Sequence, residues 1–97
     1  GFNKLILDPG IGFGKTARDN FLIIKNIHKF KKLGYPLLIG ISRKTFLSID
    51  DDKPNERLIS SLIMESISLI NGADILRVHD INETKNMITL INKYIDA

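Results

Sequence analysis

The chain has 97 residues, of which 43% are hydrophobic and 26% charged, as is ordinary for a globular domain with a modest core. Its formal net charge is +3, but the lysines are scattered, so the basic face that nucleic-acid binding needs is not evident. The absence of cysteine excludes disulfides and thiolate metal sites, and no apolar run approaches the roughly 20 residues of a membrane span.

Apolar runs and helical spacing alternate along the chain in a regular order. Strands are predicted at residues 4–7, 37–41 and 74–78, and helices at residues 19–33, at residues 56–71 and from Asn82 or Thr84 onward. Gly34 and Gly72 stand where the first two helices are expected to end. This alternation favours an α/β fold with a parallel sheet. We expect residues 1–97 to form one incomplete segment of a single domain, because a strand pattern begins directly at the first residues.

The loop after the first strand, DPGIGFGKT, resembles two nucleotide-binding motifs and satisfies neither. A P-loop reads G-x-x-x-x-G-K-[ST], so counting back from Lys15 places Pro9 where the first glycine belongs. Proline has no N–H group to offer a phosphate. The dinucleotide fingerprint G-x-G-x-x-G fits Gly10 and Gly12, but Lys15 occupies the third glycine position. Another explanation is needed for Asp8 at the end of an apolar strand.

Each predicted strand has one aliphatic face, suited to packing against helices, and one face that becomes polar at its C-terminal end. The aliphatic face of the second strand consists of Leu37, Ile39 and Ile41. The polar ends carry Asp8 on the first strand, Gly40, Ser42 and Lys44 along the second, and Arg77 and His79 along the third. In a parallel sheet these ends meet at one edge, which is where α/β folds bind ligands. We therefore predict a ligand site at that edge.

Structural roles are open alternatives for these residues. Asp8 before Pro-Gly is typical of a turn residue that bonds its own backbone. An arginine in an apolar strand needs an anion, a carboxylate partner or a solvent-filled pocket, so Arg77 is open to a pairing with Asp8 or Asp74. His79 is open to a role as a satisfied polar residue. The joint placement of charged groups at three strand ends favours the functional interpretation.

Other charged groups are predicted to be solvated. Arg43 stands in a loop beside Lys44, where such pairs usually face water, and a solvated pair is also the open alternative to a site role for Lys44. The acidic triplet at residues 50–52 lacks the ligand spacing and the glycine of a calcium-binding EF-hand. His28 and His79 stand on different elements and do not have metal-binding spacing. No metal ligands are therefore predicted within this chain.

Three motifs together are similar to those of a known family. DPGIGFGKT, GISRKTF and RVHD, in this order and with helices between them, resemble the dihydropteroate synthases. The resemblance covers essentially the whole chain but only the last three βα units of such an enzyme. The family is a TIM barrel, which needs about 250 residues. The implied fold is the C-terminal part of a (β/α)8 barrel, with three parallel strands alternating with three helices.

The resemblance implies a transferase of folate biosynthesis. Dihydropteroate synthases condense p-aminobenzoate with 6-hydroxymethyl-7,8-dihydropterin pyrophosphate, giving 7,8-dihydropteroate and pyrophosphate. The resemblance also implies a cytoplasmic homodimer that uses Mg²⁺, with the metal ligands in an N-terminal part that this chain is expected to lack. The broad apolar face expected on the helix at residues 56–71 is compatible with dimer formation. The isolated 97 residues are expected to be inactive.

The resemblance implies a role for each strand-end residue. Asp8 resembles the aspartate that accepts hydrogen bonds from the N–H groups of the pterin ring. Lys44 and Arg77 are the implied catalytic residues. Lys44 resembles the lysine that donates to the pterin, and Arg77 resembles the arginine that stacks on the pterin and holds the pyrophosphate. His79 resembles the histidine of the pyrophosphate site.

Three more residues are implied to border the substrates. Phe13 and Ser42 resemble residues beside p-aminobenzoate, and Gly40 resembles a glycine that gives the pterin room to approach. One departure concerns the following helix, where the family usually has a Gly-Ser or Gly-Thr pair and this chain has Ser60 and Ser61. Close helix packing is therefore expected to differ there.

Three alternative functions are kept open. A methyltransferase that uses methyltetrahydrofolate is also a pterin-binding barrel, but it is not expected to combine the Ser-Arg-Lys motif with Arg77 and His79. A non-catalytic phosphate-binding α/β module is disfavoured by Pro9. A degenerate, non-catalytic fragment is disfavoured by the presence of every charged strand-end residue.

Overall fold

The computed structural model of the chain describes residues 5–12, 16–50 and 52–97. Its helices and strands follow one another in the order α1 (Ala17–Lys25), α2 (Ile27–Lys31), β1 (Leu38–Ile39), α3 (Leu58–Ile70), β2 (Ile75–Leu76) and α4 (Ile81–Ile95). Short 3-10 helices at Thr45–Leu47 and Pro54–Glu56 lie between β1 and α3. The predicted alternation of strands and helices is therefore confirmed from β1 to α4.

The sheet is parallel, with Leu38 of β1 opposite Ile75 of β2. On the other side of β1, Leu7 forms a parallel bridge to Leu37. The parallel sheet is therefore confirmed, but each ladder is shorter than the apolar run that predicted it. A ladder extends only where neighbouring backbones pair, and the described chain leaves the sheet where the polar strand ends begin. Residues 1–4 lie outside the described residues, and of these only Lys4 belongs to the first predicted strand.

The helix predicted at residues 19–33 is divided into α1 and α2 at Asn26. The Asn26 side chain donates to the Leu22 carbonyl at 2.7 Å, a local competition that disfavours asparagine inside helices. α1 begins at a capping box, in which the Thr16 hydroxyl accepts from the Asp19 N–H at 3.1 Å. The predicted stop at Gly34 is confirmed, because Gly34 has φ +86° shortly after α2 ends.

The core is formed by the sheet together with α1 and α2. Leu37, Ile39 and Ile41 are fully buried against Ile24 and Ile27. This burial confirms the aliphatic face predicted for the second strand. None of the helices in the described ranges is long and apolar enough to cross a membrane.

α3 directs polar residues inward and isoleucines outward. Ser61, Glu65 and Ser68 are buried, whereas the exposed residues are Ile59, Ile63, Ile67 and Ile70. The hydroxyls of Ser61 and Ser68 are satisfied because each donates to a carbonyl of the preceding helical turn, at 2.7 and 2.8 Å. The apolar face predicted on this helix therefore points away from the core of the described chain.

Candidate active site

The loops that follow β1 and β2 bring five of the predicted site residues together. Gly40, Ser42, Lys44, Arg77 and His79 line one open cavity of about 160 Å³. The polar ends of two neighbouring strands thus meet at one edge of the sheet, as the strand periodicity predicts.

Ser42 connects the two loops. It is buried, and its Oγ accepts from the His79 N–H at 3.1 Å and lies 2.9 Å from His79 Nδ1. The imidazole is therefore held through one ring nitrogen while the residue stays exposed at the cavity. Nε2 of His79 has no hydrogen-bond partner among the described residues and is available to a ligand.

Arg77 lies directly after β2, with its guanidinium packed on Gly40. A Cβ atom at Gly40 would stand 2.7 Å from Arg77 Nη2, so glycine leaves the space that the guanidinium fills. Arg77 is exposed and forms no ion pair within the described parts of the chain. The alternative pairing with Asp74 is wrong, because Asp74 binds Lys31 and accepts from the Leu37 N–H at 2.8 Å. Arg77 therefore lines an open pocket without a carboxylate partner among the described residues.

Lys44 lies between this cavity and a second one. Its side chain packs against Gly12, and its Nζ donates to the Ile11 carbonyl at 2.6 Å. Burial and the positive charge of Arg77 lower the pKa of Lys44, while the Asp8 carboxylate opposes that change. The alternative of a fully solvated Lys44 is therefore wrong, and the predicted place of Lys44 at the strand-end edge is the one observed. The second cavity, of about 620 Å³, is lined by Gly12, Asn20, Arg43, Lys44, Thr45 and Phe46, among others.

Asp8 stabilises the turn that follows it. Its Oδ1 accepts from the Gly10 N–H at 2.9 Å, so the alternative that Asp8 bonds its own backbone is confirmed. Asp8 is exposed and does not line the cavity of Arg77, although its charge acts on Lys44. Phe13 lies outside the described residues.

Asn20 holds the loop in front of α1 and was missed by the sequence analysis. It is buried, and its Oδ1 accepts from the Gly12 N–H at 2.9 Å. Helical spacing could have indicated this, because Asn20 precedes Ile24 and Ile27 by four and seven residues and shares their buried face.

Arg43 is an anchored residue rather than the solvated one that was predicted. Its Nη2 and Nε donate to the two carboxylate oxygens of Asp80 at 2.5 and 3.2 Å. Its N–H donates to Ser61 Oγ at 2.8 Å, and its carbonyl accepts from Arg57 Nη1 at 2.9 Å. Asp80 was not predicted as a site residue, because strand alternation places it on the face opposite His79.

The acidic triplet is not wholly solvated either. Asp52 Oδ1 accepts from Arg57 Nε at 2.8 Å and from the Ser48 hydroxyl at 2.9 Å, and the bond from Arg57 lowers the pKa of Asp52. The buried Arg57 needs such a partner. The solvated prediction is therefore wrong for Asp52. Asp50 is exposed, and Asp51 lies outside the described residues.

Glu65 on α3 is a buried carboxyl that the sequence analysis also missed. The residue is 1% exposed, and its Oε2 has no hydrogen-bond partner among the described residues. Burial, with a further contribution from the Asp80 carboxylate, raises the pKa of Glu65 to about 7. Its spacing from Ser61 and Ser68 places it on the inward face of α3.

The cleft between the two loops suits an anionic ligand. Lys44 supplies an ammonium group and Arg77 a planar guanidinium, with the His79 imidazole beside them. In the part of the chain that the structure describes, no three His, Asp or Glu side chains lie close enough to share a metal ion. The described residues therefore supply no such ligand group for the Mg²⁺ that the resemblance implies, whose ligands are expected outside this chain.

Comparisons with known proteins agree with these features. The family model described as "Pterin binding enzyme" matches residues 1–79. The dihydropteroate synthase of Haemophilus influenzae is 42% identical over 86 residues, which are 88% of this chain and 31% of that protein. The chain spans about a third of the length of the curated relatives it matches.

Solved structures have the same fold over this length. The dihydropteroate synthase of Yersinia pestis is 35% identical with a TM-score of 0.96, covering 100% of this chain and 40% of that one. The dihydropteroate synthase of Xanthomonas albilineans, solved in complex with 7,8-dihydropteroate, is 31% identical with a TM-score of 0.94, covering 98% of this chain and 37% of that one.

Proposed function

Because this chain belongs to the family of pterin binding enzymes, we propose that it is part of a dihydropteroate synthase. The complete enzyme would condense p-aminobenzoate with 6-hydroxymethyl-7,8-dihydropterin pyrophosphate, giving 7,8-dihydropteroate and pyrophosphate. The name of the relatives and the product bound in one similar structure support this activity. We further propose that the chain supplies the last three βα units of a (β/α)8 barrel, since it spans about a third of those relatives.

The observation that carries the proposal is the position of Lys44, which borders both cavities. An enzyme that joins two substrates needs neighbouring sites whose contents meet at a shared boundary. We assign the cavity of Arg77 and His79 to the pterin pyrophosphate and the larger cavity to p-aminobenzoate. We also propose that Phe13 and Ser42 contact p-aminobenzoate, as the resemblance implies.

The pterin would be bound by side chains from the ends of all three strands. Asp8 would accept hydrogen bonds from the ring N–H groups, since a carboxylate oxygen that already accepts from Gly10 leaves further lone pairs. Lys44 would donate to the pterin. The Arg77 guanidinium, which fills the space left by the missing side chain of Gly40, would stack on the pterin ring.

The positive charges of Lys44 and Arg77 suit a reaction that begins with departure of the negatively charged pyrophosphate. The bond between the pterin methylene carbon and the pyrophosphate oxygen breaks, and its electron pair leaves with the pyrophosphate. Arg77 and His79 would stabilise that negative charge. The amine of p-aminobenzoate then attacks the cationic methylene carbon, forms the C–N bond and releases a proton. The residues of this chain would bind, orient and neutralise the reactants.

The remaining features of the complete enzyme are proposals of the same kind. We propose a cytoplasmic homodimer, with the exposed isoleucines of α3 as the surface offered to the partner subunit. We also propose that Mg²⁺ is bound by residues outside this chain. When bound, it would neutralise part of the pyrophosphate charge.

Substitution of the two cations tests the proposed function. In the complete enzyme, we expect Lys44→Ala and Arg77→Ala each to lower kcat/KM for the pterin pyrophosphate by about 100-fold or more, because each removes a group that stabilises bound charge. Lys29→Ala is the control, since Lys29 is exposed on α2 away from both cavities. Wild-type rates in both site variants would refute the assignment.

A further inference from the structure

Arg43 stands between two residues of the site and is itself held in place. Its neighbours Ser42 and Lys44 line the small cavity. Its own N–H, carbonyl and guanidinium are bound, in that order, by Ser61, Arg57 and Asp80. Its backbone has φ 58°, a strained conformation for a residue other than glycine. Such a conformation persists only where the surroundings impose it.

Asp80 does not take the local role that its position predicts. It is the N-cap residue of α4, where an aspartate normally accepts from N–H groups of the first turn, but its side chain makes no capping bond. Its carboxylate binds Arg43 instead, and this side chain is only 14% exposed. When a residue departs from a strong local preference, a tertiary requirement has overridden that preference.

The Arg43–Asp80 pair joins the two loops that carry the cations of the site. Arg43 precedes Lys44 in the loop after β1, and Asp80 follows Arg77 and His79 after β2. The direction of the Lys44 side chain follows from the backbone conformation at Arg43. If the pair were absent, the left-handed turn would lose its anchor on the β2 side, and the position of Lys44 relative to Arg77 would depend on its remaining contacts with Gly12 and Ile11.

We propose that Arg43 and Asp80 are positioning residues, which set Lys44 against Arg77 and His79 for binding of the pterin pyrophosphate. The inference rests on the proposed function. Arg43 lines the larger cavity, but neither residue needs to contact the pterin pyrophosphate, because their effect on this substrate is transmitted through Lys44. A displacement of a binding group by about 1 Å can reduce catalytic efficiency about 100-fold.

The test is a set of variants in the complete enzyme, measured with the pterin pyrophosphate. We expect Asp80→Asn and Arg43→Ala each to lower kcat/KM for this substrate by about 10- to 100-fold. The double variant should have a kcat/KM no lower than that of the less active single variant. In a Lys44→Ala background, Asp80→Asn should cost less than about threefold, because coupled residues are not additive. Arg43→Lys, which keeps the charge but loses the planar fork, should lie between wild type and Arg43→Ala.

Asp74→Asn is the matched control, because Asp74 forms an ion pair with Lys31 at the opposite end of β2. It should leave kcat/KM unchanged. The positioning role is refuted if Asp80→Asn and Arg43→Lys are both fully active, or if the loss persists undiminished in the Lys44→Ala background. A wild-type enzyme that fails to use the pterin pyrophosphate would instead refute the proposed function.

Discussion

Two glycines determine where the cations of the site can lie. Gly12 and Gly40 stand against the side chains of Lys44 and Arg77, and a Cβ atom at either position would approach them within 3 Å, at 2.9 and 2.7 Å. The space left by two missing side chains is thus filled by two charged ones. Gly12 and Gly40 therefore belong to the site although neither offers a functional group.

Gly40→Ala should weaken substrate binding without unfolding the protein. The new Cβ would displace the end of the flexible Arg77 side chain and not the backbone, so we expect the affinity for the pterin pyrophosphate to fall about tenfold while the unfolding free energy changes by less than about 1 kcal/mol. Calorimetric titration and urea unfolding of the complete enzyme measure the two effects.

Gly34→Ala gives the opposite pattern and serves as the control. Gly34 has φ +86° with no atom near its Cβ position, so alanine there should cost about 1 kcal/mol of stability and leave the affinity unchanged. Equal affinity losses in both variants would contradict the role given to Gly40.

Strand periodicity predicted the site residues, but it could not predict what supports them. Lys44, Arg77 and His79 follow from counting alternate residues along two apolar runs. Arg43 and Asp80 were missed because their partners lie on separate segments, and a single sequence gives no measure of tertiary pairing. Asp52 is a different case, because its partner Arg57 is only five residues away and what the sequence does not show is that Arg57 is buried.

At the scale of the elements, α3 shows how tertiary context overrides a local pattern. Helical spacing correctly predicted an apolar stripe, but that stripe is exposed, and the inward face carries serines and Glu65. Small serines satisfy their hydroxyls within the helix and permit close packing. The break at Asn26 has a local cause instead, since its side chain donates to the Leu22 carbonyl of the preceding turn.

Glu65→Gln should stabilise the protein at high pH. A carboxyl whose pKa is raised on folding, from 4.5 to about 7 here, contributes stability that is present below pH 4.5 and lost as pH rises through 7. The variant lacks this ionisation, so at pH 8 we expect it to exceed wild type by about 1–3 kcal/mol, with a smaller difference at pH 5. Urea unfolding of the complete protein at both pH values measures this.

Glu83→Gln is the comparison for that experiment, because Glu83 is exposed in the first turn of α4. Its stability difference from wild type should be nearly the same at both pH values. A Glu65 variant that loses stability at pH 8 would show that the carboxylate has a favourable partner in the complete protein.

At the scale of the molecule, the described chain leaves much apolar surface uncovered. Leu5 and Ile6 are exposed beside the sheet, as are the isoleucines of α3 and, on α4, Leu90 and Tyr94. Several exposed large apolar side chains on one element, as on α3, are typical of a surface that other structure covers. This exposure supports the proposal that further βα units and a second subunit cover these faces. The order of elements predicted the parallel α/β architecture, whereas closure of a barrel depends on chain that 97 residues do not contain.

The central claim is that the strand-end cations bind the pterin pyrophosphate, and a crystal structure of the complete enzyme with this substrate, in the absence of p-aminobenzoate, tests it most directly. We expect the pterin within hydrogen-bond distance of Lys44 Nζ, about 3 Å, and the pyrophosphate at the same distance from Arg77 and His79. A substrate bound elsewhere, with all three side chains left to solvent, would contradict the account.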